Sequence, residues 1–398
     1  MNPDEQTDAL VIGAGPAGLM AAERLAAAGH RVLIVDAKPS AGRKFLMAGK
    51  SGLNLTMDME PEPFAARYWC GADRMAPLIG AFGPARVQDW ARDLGQEVFT
   101  GTSGRVFPRA MKASPLLRAW LGRLSASRVT LRTRWLWTGR DGAAETFETP
   151  GGPRRVAARA TVLALGGASW ARLGSDGAWA DALAADGVPL APFAPSNVGF
   201  RVNWSPAMAK HFGAPVKSVT LSAGGRSLPG EFVLSAHGVE GGGIYALTPE
   251  LRNSAALTLD LAPGRSAEDV GNRLKRPRGK TSLSNHLRKT LGFSPVKTAL
   301  LRECAPDTLG DPSAIGRALK TLALPLAGPR PIDEAISTAG GVVWDALDDG
   351  LMLKSRPGTF CAGEMIDWDA PTGGWLITGC LATGLRAGDA AAAWLSSA

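Results

Sequence analysis

Cysteine, histidine and tyrosine are scarce in this chain. Of 398 residues, four are Cys, four His and two Tyr. Cys70, Cys304, Cys361 and Cys380 form no C-x-x-C pair and no spacing suited to metal ligation. That argues against a dithiol mechanism and a bound metal, and for a reducing, cytoplasmic setting. Long hydrophobic runs are missing too. The most apolar late stretch, 376–395, is interrupted by Arg386, Asp389 and several glycines, so no membrane span is expected. The first six residues are acidic and lack the basic start of a signal peptide.

What the chain has in quantity is glycine, 49 residues, within a composition that is 45% hydrophobic. That is ample for globular folding, and the length exceeds one ordinary core, so two or three structural units are expected. Lys and Arg number 44 against 36 Asp and Glu, a net charge of +8. The excess suits anions, either a phosphorylated cofactor or RNA, or it is a solvated surface.

The most informative stretch lies at the start. Leu10, Val11 and Ile12 read as a buried strand, Gly13-x-Gly15-x-x-Gly18 as a turn opening an Ala-rich helix, and Arg31 to Val35 as a second strand ending at Asp36. This is the βαβ start of a dinucleotide-binding, Rossmann-like fold. Gly13 permits the turn, Gly15 lets a pyrophosphate approach the backbone beside Pro16 and Ala17, and Gly18 allows close helix–strand packing. The helix N-terminus offers free N–H groups to phosphates, and Asp36 a carboxylate to a ribose diol.

Segment 41–56 follows, rich in glycine, with Arg43 and Lys44 placed to offset phosphate charge. It reads as a cofactor wrap carrying Gly49 and Asn54, or as a surface loop. Segment 75–95 reads as two helices broken at Gly83-Pro84, and 129–135 as a strand ending in Trp135, a further candidate contact. A buried strand ends at Gly166-Gly167, returning to the first sheet beside the cofactor. The turn Gly174-Ser175-Asp176-Gly177 either touches the cofactor or only links strand to helix.

From 198 to about 260 the pattern is short alternating runs, an inserted antiparallel β unit; from Ser266 to about Leu324 it is helical, with breaks at Pro277, Pro295 and Pro312. Arg273, Lys275, Arg276, Arg278, Lys280, Arg288 and Lys289 form a basic cluster there, a solvated face or a nucleic-acid surface. Near the C-terminus Gly363, Glu364 and Asp367 follow a strand and suit a polyol such as a ribityl chain. Gly373-Gly374-Trp375 then opens the last helix, whose N–H groups can face a flavin edge that gains negative charge on reduction.

Taken together, Val11-Ile12-Gly13-Ala14-Gly15-Pro16-Ala17-Gly18, Gly42-Arg43-Lys44, Gly166-Gly167-Ala168-Ser169, Thr338-Ala339-Gly340-Gly341-Val342 and Ala362-Gly363-Glu364-x-x-Asp367 with Gly373-Gly374 resemble the YhiN/BaiN-type flavoproteins, a branch of the glutathione-reductase-like FAD proteins. The resemblance implies an α/β fold. Residues 1–195 and 331–398 would form the FAD-binding domain, 196–264 an inserted β domain and 265–330 a helical insert. It also implies reduction of activated C=C bonds, steroid enones in one branch and a uracil of ribosomal RNA in another. One departure stands out: where the family usually reads Gly-Gly-Gly-Arg-Cys-Asn, this chain has Gly49-Lys50-Ser51-Gly52-Leu53-Asn54.

Three functions follow for testing. The first is an FAD-dependent oxidoreductase passing hydride from reduced flavin to a polarised double bond; with no second GxGxxG, NADH or NADPH would bind transiently or another donor would serve. The others are an RNA-modifying flavoenzyme and a flavin-holding protein without turnover. No side chain declares itself as proton donor; His237 and Tyr245, beside three consecutive glycines, are the candidates from the insert.

Overall fold

The computed structural model describes residues 4–50, 52–253 and 255–397. Met1 to Pro3, Ser51 and Ser254, which belong to segments read above, lie outside the described residues. The chain divides into two compact units, Met1–Ala194 with Ile336–Ala398, and Pro195–Ala335.

In the first unit the strand Glu5–Ile12 lies between Val32–Asp36 and Arg154–Leu163, parallel to both. Val129–Thr133 extends the sheet beyond Val32–Asp36, and Thr359–Cys361 runs parallel along the end of Arg154–Leu163. The hairpin Leu136–Asp141 with Ala144–Glu148 pairs antiparallel to the start of that same long strand. The central strand shows no in–out alternation at its end: Ala9, Leu10, Val11 and Ile12 are all buried, as a parallel strand covered on both faces requires.

One face is covered by the helices Pro16–Ala27 and Trp375–Ser397, from opposite ends of the chain. They approach closely because the second carries glycine where they cross. A Cβ on Gly384 would collide with the Ala17 carbonyl, and one on Gly388 would lie 2.7 Å from that of Ala21. The helices Ala72–Ala81 and Pro84–Asp93 are separated by Phe82-Gly83. Pro84 occupies the first helical position, where its missing N–H costs nothing.

The second unit is a seven-stranded antiparallel sheet in the order Leu322–Leu324, Leu257–Asp260, Pro215–Ala223, Arg226–Ser235, Gly238–Glu240, Phe200–Val202, Leu326–Pro329. Its long hairpin turns on Gly224 and Gly225, both with positive φ, the backbone a two-residue hairpin turn demands. Four helices follow, Ala267–Leu274, Leu283–Leu291, Pro295–Cys304 and Pro312–Lys320. Ser266 caps the first by accepting from the Asp269 N–H at 3.0 Å.

Two features differ from the sequence reading. The stretch expected to be helical to about Leu324 ends in the strand Leu322–Leu324, and this strand and Leu326–Pro329 just after it form the opposite edges of the sheet. The β and helical segments, expected as separate inserts, bury Leu221, Phe232 and Leu259 with Val270, Leu300 and Leu319 in one hydrophobic core. A four-helix segment this short cannot enclose a core alone, so it packs on the sheet.

Candidate active site

The turn after the first strand builds one end of the site. Gly13 has φ 105° and a Cβ there would collide with the Ala164 carbonyl; one on Gly18 would collide with the Gly13 carbonyl. Gly15 is different. Its backbone is extended and an added Cβ would meet no atom within 4 Å, so nothing inside the protein demands glycine there. It faces a cavity of ≈ 300 Å³ also lined by Gly13, Pro16, Ala17, Asp36, Arg43, Trp135, Gly166 and Gly363.

Asp36 ends the second strand with its carboxylate half-committed: it accepts from Ala14 N at 2.9 Å and Lys38 N at 2.8 Å, tying the glycine turn to the strand end. Burial pushes its pKa up, partly countered by those two N–H donors and by Lys38 and Arg43. Arg43 lines the same cavity, and its buried Nε has no partner among the described residues.

A second cavity, of ≈ 440 Å³, is lined by Asn54, Gly373 and Gly374 together with apolar Met47, Ala48, Trp170, Ile336, Trp368, Leu376 and Ile377. Pro16, Lys44, Phe45, Glu364 and Cys380 line both cavities, which therefore adjoin across these five side chains and together make up the candidate cleft. The Asn54 Oδ1 is buried without a partner among the described residues. Gly374 holds φ 99°, and a Cβ there would collide with the Thr56 backbone. The N–H groups of the first turn behind it have no intrahelical acceptor.

At the junction Lys44 Nζ donates to Glu364 Oε2 at 2.7 Å and Ser169 Oγ at 2.9 Å, while Thr338 N donates to Glu364 Oε1 at 3.1 Å. Lys44, expected to offset phosphate charge, is thus already paired with Glu364, and Glu364, expected to face a polyol, is held by Lys44 and Thr338. The Cys380 thiol beside them is pushed up to about 12 by burial and by the Glu364 charge.

Five predicted positions do not line the cleft. Gly18 packs under the turn, and Gly49 lies against Ala113. At Gly167 an added Cβ would collide with Thr338 Oγ1. Asp367 accepts from Gly340 N at 3.1 Å, and the Trp375 indole turns away to donate to Phe64 O at 2.9 Å. Trp137, Trp179, Ser175, Arg105 and Cys380 line the cleft without having been predicted. Of these only Ser175 carried a signal, the glycine-flanked turn at 174–177; the others arrive from elements distant in sequence. His237 and Tyr245 belong to the second unit. Burial and the Glu240 charge push the Tyr245 pKa up.

The pieces needed for a dinucleotide ligand are therefore together: an open glycine face at a helix N-terminus, a carboxylate at the second strand end, and two buried polar atoms on the walls that have no partner among the described residues. No helix among the described residues is long and apolar enough to cross a membrane.

Residues 7–390 match the family described as HI0933-like protein Rossmann domain. The chain is 25% identical to the 3-dehydro-bile acid delta(4,6)-reductase of Clostridium scindens, over 96% of this chain and 98% of that one. It is 24% identical to the ribosomal RNA dihydrouridine synthase of Escherichia coli K12, over 93% of this chain and 94% of that one. In fold it is similar to the 3-ketosteroid-delta4-(5alpha)-dehydrogenase of Rhodococcus jostii, with a TM-score of 0.56 at 17% identity, covering 98% of each chain.

Proposed function

The chain belongs to the HI0933-like Rossmann family, and from that premise we propose that it is an FAD-dependent oxidoreductase that reduces an activated C=C bond. The observation that carries the reading is the pair of adjoining cavities, one at Asp36 and Gly15 and one at Gly374, with the Lys44–Glu364 pair lining both. Similarity to a bile-acid C=C reductase along the whole chain supports it.

Bound FAD would supply two-electron chemistry, accepting hydride from a donor and passing it to an acceptor. The chain's own residues supply binding and orientation. Gly15 leaves the N-terminus of the helix Pro16–Ala27 open to a pyrophosphate, Asp36 retains acceptor capacity for a ribose, and Arg43 carries an unmatched Nε toward negative charge. Lys44 and Glu364 neutralise each other at the waist of the cleft. Asn54 Oδ1 is an acceptor for a ring N–H. The N–H groups behind Gly374 favour negative charge at their end of the cleft. The apolar lining by Met47, Trp170, Trp368, Leu376 and Ile377 lowers the local dielectric at that end and strengthens the interactions made there.

Absorbance of the purified protein tests the cofactor, with flavin bands at about one FAD per chain expected. Anaerobic mixing with NADH or NADPH, followed by a conjugated enone, tests turnover: bleaching and reoxidation by the enone are expected. A flavin that no donor reduces would mark a binding protein without turnover.

A second reading, uracil reduction in RNA, draws on the Escherichia coli relative and on the exposed Arg276, Arg278, Lys280 and Lys289, none of which has a side-chain partner among the described residues. It requires RNA binding that weakens steeply with salt and with neutralisation of these four residues.

A further inference from the structure

The unit Pro195–Ala335 holds a cavity of its own, of ≈ 450 Å³, where the turn Pro206–His211 meets the helices Leu283–Leu291 and Pro295–Cys304. Four basic side chains from these three elements line it: Lys210, His211, Arg288 and Arg302. None has a hydrogen-bond or ion-pair partner among the described residues. Arg226, Arg273 and Arg330 of this unit are paired, with Glu250, Asp269 and Glu334, whereas Arg276 and Arg278 are as unpaired among the described residues as these four. The cavity's one carboxylate, Glu303, is occupied by Ser205, whose N–H and Oγ donate to it at 2.7 and 2.6 Å. Thr298, only 4% exposed, also lines the cavity, and its hydroxyl has no partner among the described residues.

Like charges gathered on one concavity repel each other, and a bound anion removes that cost. Arginine forks with neutral hydroxyl and amide donors beside them match the oxygens of a phosphate. We propose that this cavity binds the phosphate group of a nucleotide-sized small molecule. Its volume lies in the range of small-molecule pockets, about 300–1,000 Å³, and exceeds what a bare phosphate fills. The four basic groups line one hollow, which favours a compact ligand over a strand. The site stands independently of the flavin reading.

His211 adds a signature. Burial and the Lys210 charge hold its pKa below the usual 6.5. An anion among Lys210, Arg288 and Arg302, with Glu303 the opposing charge, raises that pKa, so the imidazole takes up a proton on binding, against the proton that the phosphate's own second ionisation, near pH 6, gives up.

Titration calorimetry on the full chain, with its cofactor bound and at constant ionic strength in chloride, tests this with AMP and inorganic phosphate. One saturable AMP site is expected, for which phosphate competes. Arg288→Gln and Arg302→Gln, both exposed and outside any core, should each weaken binding about tenfold or more, with Arg302→Lys partly restoring it and cofactor content unchanged. Near pH 6.5, where the phosphate also titrates, buffers of different ionisation enthalpy should show more proton uptake per bound AMP in the wild type than in His211→Gln. No saturable binding of either probe, or AMP binding untouched in the double Arg→Gln variant, overturns the proposal. So does binding of a single-stranded RNA, but not AMP, that is lost in that variant, since the cavity then serves a strand.

Discussion

Removing the carboxylate of Asp36 leaves two backbone N–H groups, those of Ala14 and Lys38, without acceptors at the floor of the cleft. Asp36→Ala is therefore expected to cost about 1–3 kcal/mol of stability even without cofactor, and to lower FAD retention. Urea unfolding of the apoprotein and FAD content after dialysis measure the two effects; an unchanged urea midpoint would show that those N–H groups do not depend on it. Cys361 gives a pH prediction. Fully buried on the last strand of the sheet, its thiol is pushed from 9.0 to about 12. The unfolded thiol ionises first, so the unfolded state holds fewer protons between these values. Stability is whole below pH 9 and falls as pH rises toward 12, with a slope of about 1.4 kcal/mol per pH unit. Cys361→Ala should show a shallower alkaline loss than wild type in denaturant titrations at about pH 8 to 10.

At the scale of elements, the helix Trp375–Ser397 reaches its place only because glycine lets it lie on Pro16–Ala27. Gly384→Ala puts a Cβ into the Ala17 carbonyl and is expected to lower stability by about 1–3 kcal/mol, the usual cost of overpacking. It should also loosen FAD, because both helix N-termini border the cleft. Gly122 sits in the helix Ala113–Ala126 with nothing within 4 Å of an added Cβ. Gly122→Ala should raise stability by about 0.4–1 kcal/mol. Thermal unfolding of the two variants should shift in opposite directions; parallel shifts would remove the packing argument. The sequence shows both glycines equally, and only the neighbouring helix separates them.

At the scale of the whole first unit, Arg356 joins distant parts of the chain. Its guanidinium donates to Glu145 at 2.9 Å and to Asp186 at 3.0 Å, and Glu145 accepts from the Trp137 indole at 2.8 Å. Arg356 and Glu145 are both buried, and Trp137 lines the cleft. Arg356→Met strands a buried carboxylate and should cost about 3–5 kcal/mol, whereas the Glu145→Met/Arg356→Met double variant should recover most of the loss. Denaturant midpoints of the single and double variants decide it, and equal losses would mean that the pair does not act as a unit. No local pattern announces this network, because Glu145 and Arg356 lie 211 positions apart.

The sequence by itself determined the start of the fold and the ligand class. A strand, a turn needing glycine at Gly13 and Gly18, and a strand ending in Asp36 are local features, set by backbone sterics and hydrophobic period within a few dozen residues. The C-terminal glycines were legible for the same reason: a Gly-Gly pair marks backbone that other residues adopt at a cost, and φ at Gly373 and Gly374 is positive. Tertiary structure alone decided how the charges are spent. Lys44 finds Glu364 320 positions away, Asp36 holds the turn, and Asp367 faces Gly340. It also decided that the strand Leu322–Leu324 replaces the end of the expected helical run and that Leu326–Pro329 follows it as a second strand, since open sheet edges there accept their backbone hydrogen bonds. Which carboxylate meets which cation depends on loop closure across the sheet, and side-chain spacing along the chain carries no record of that.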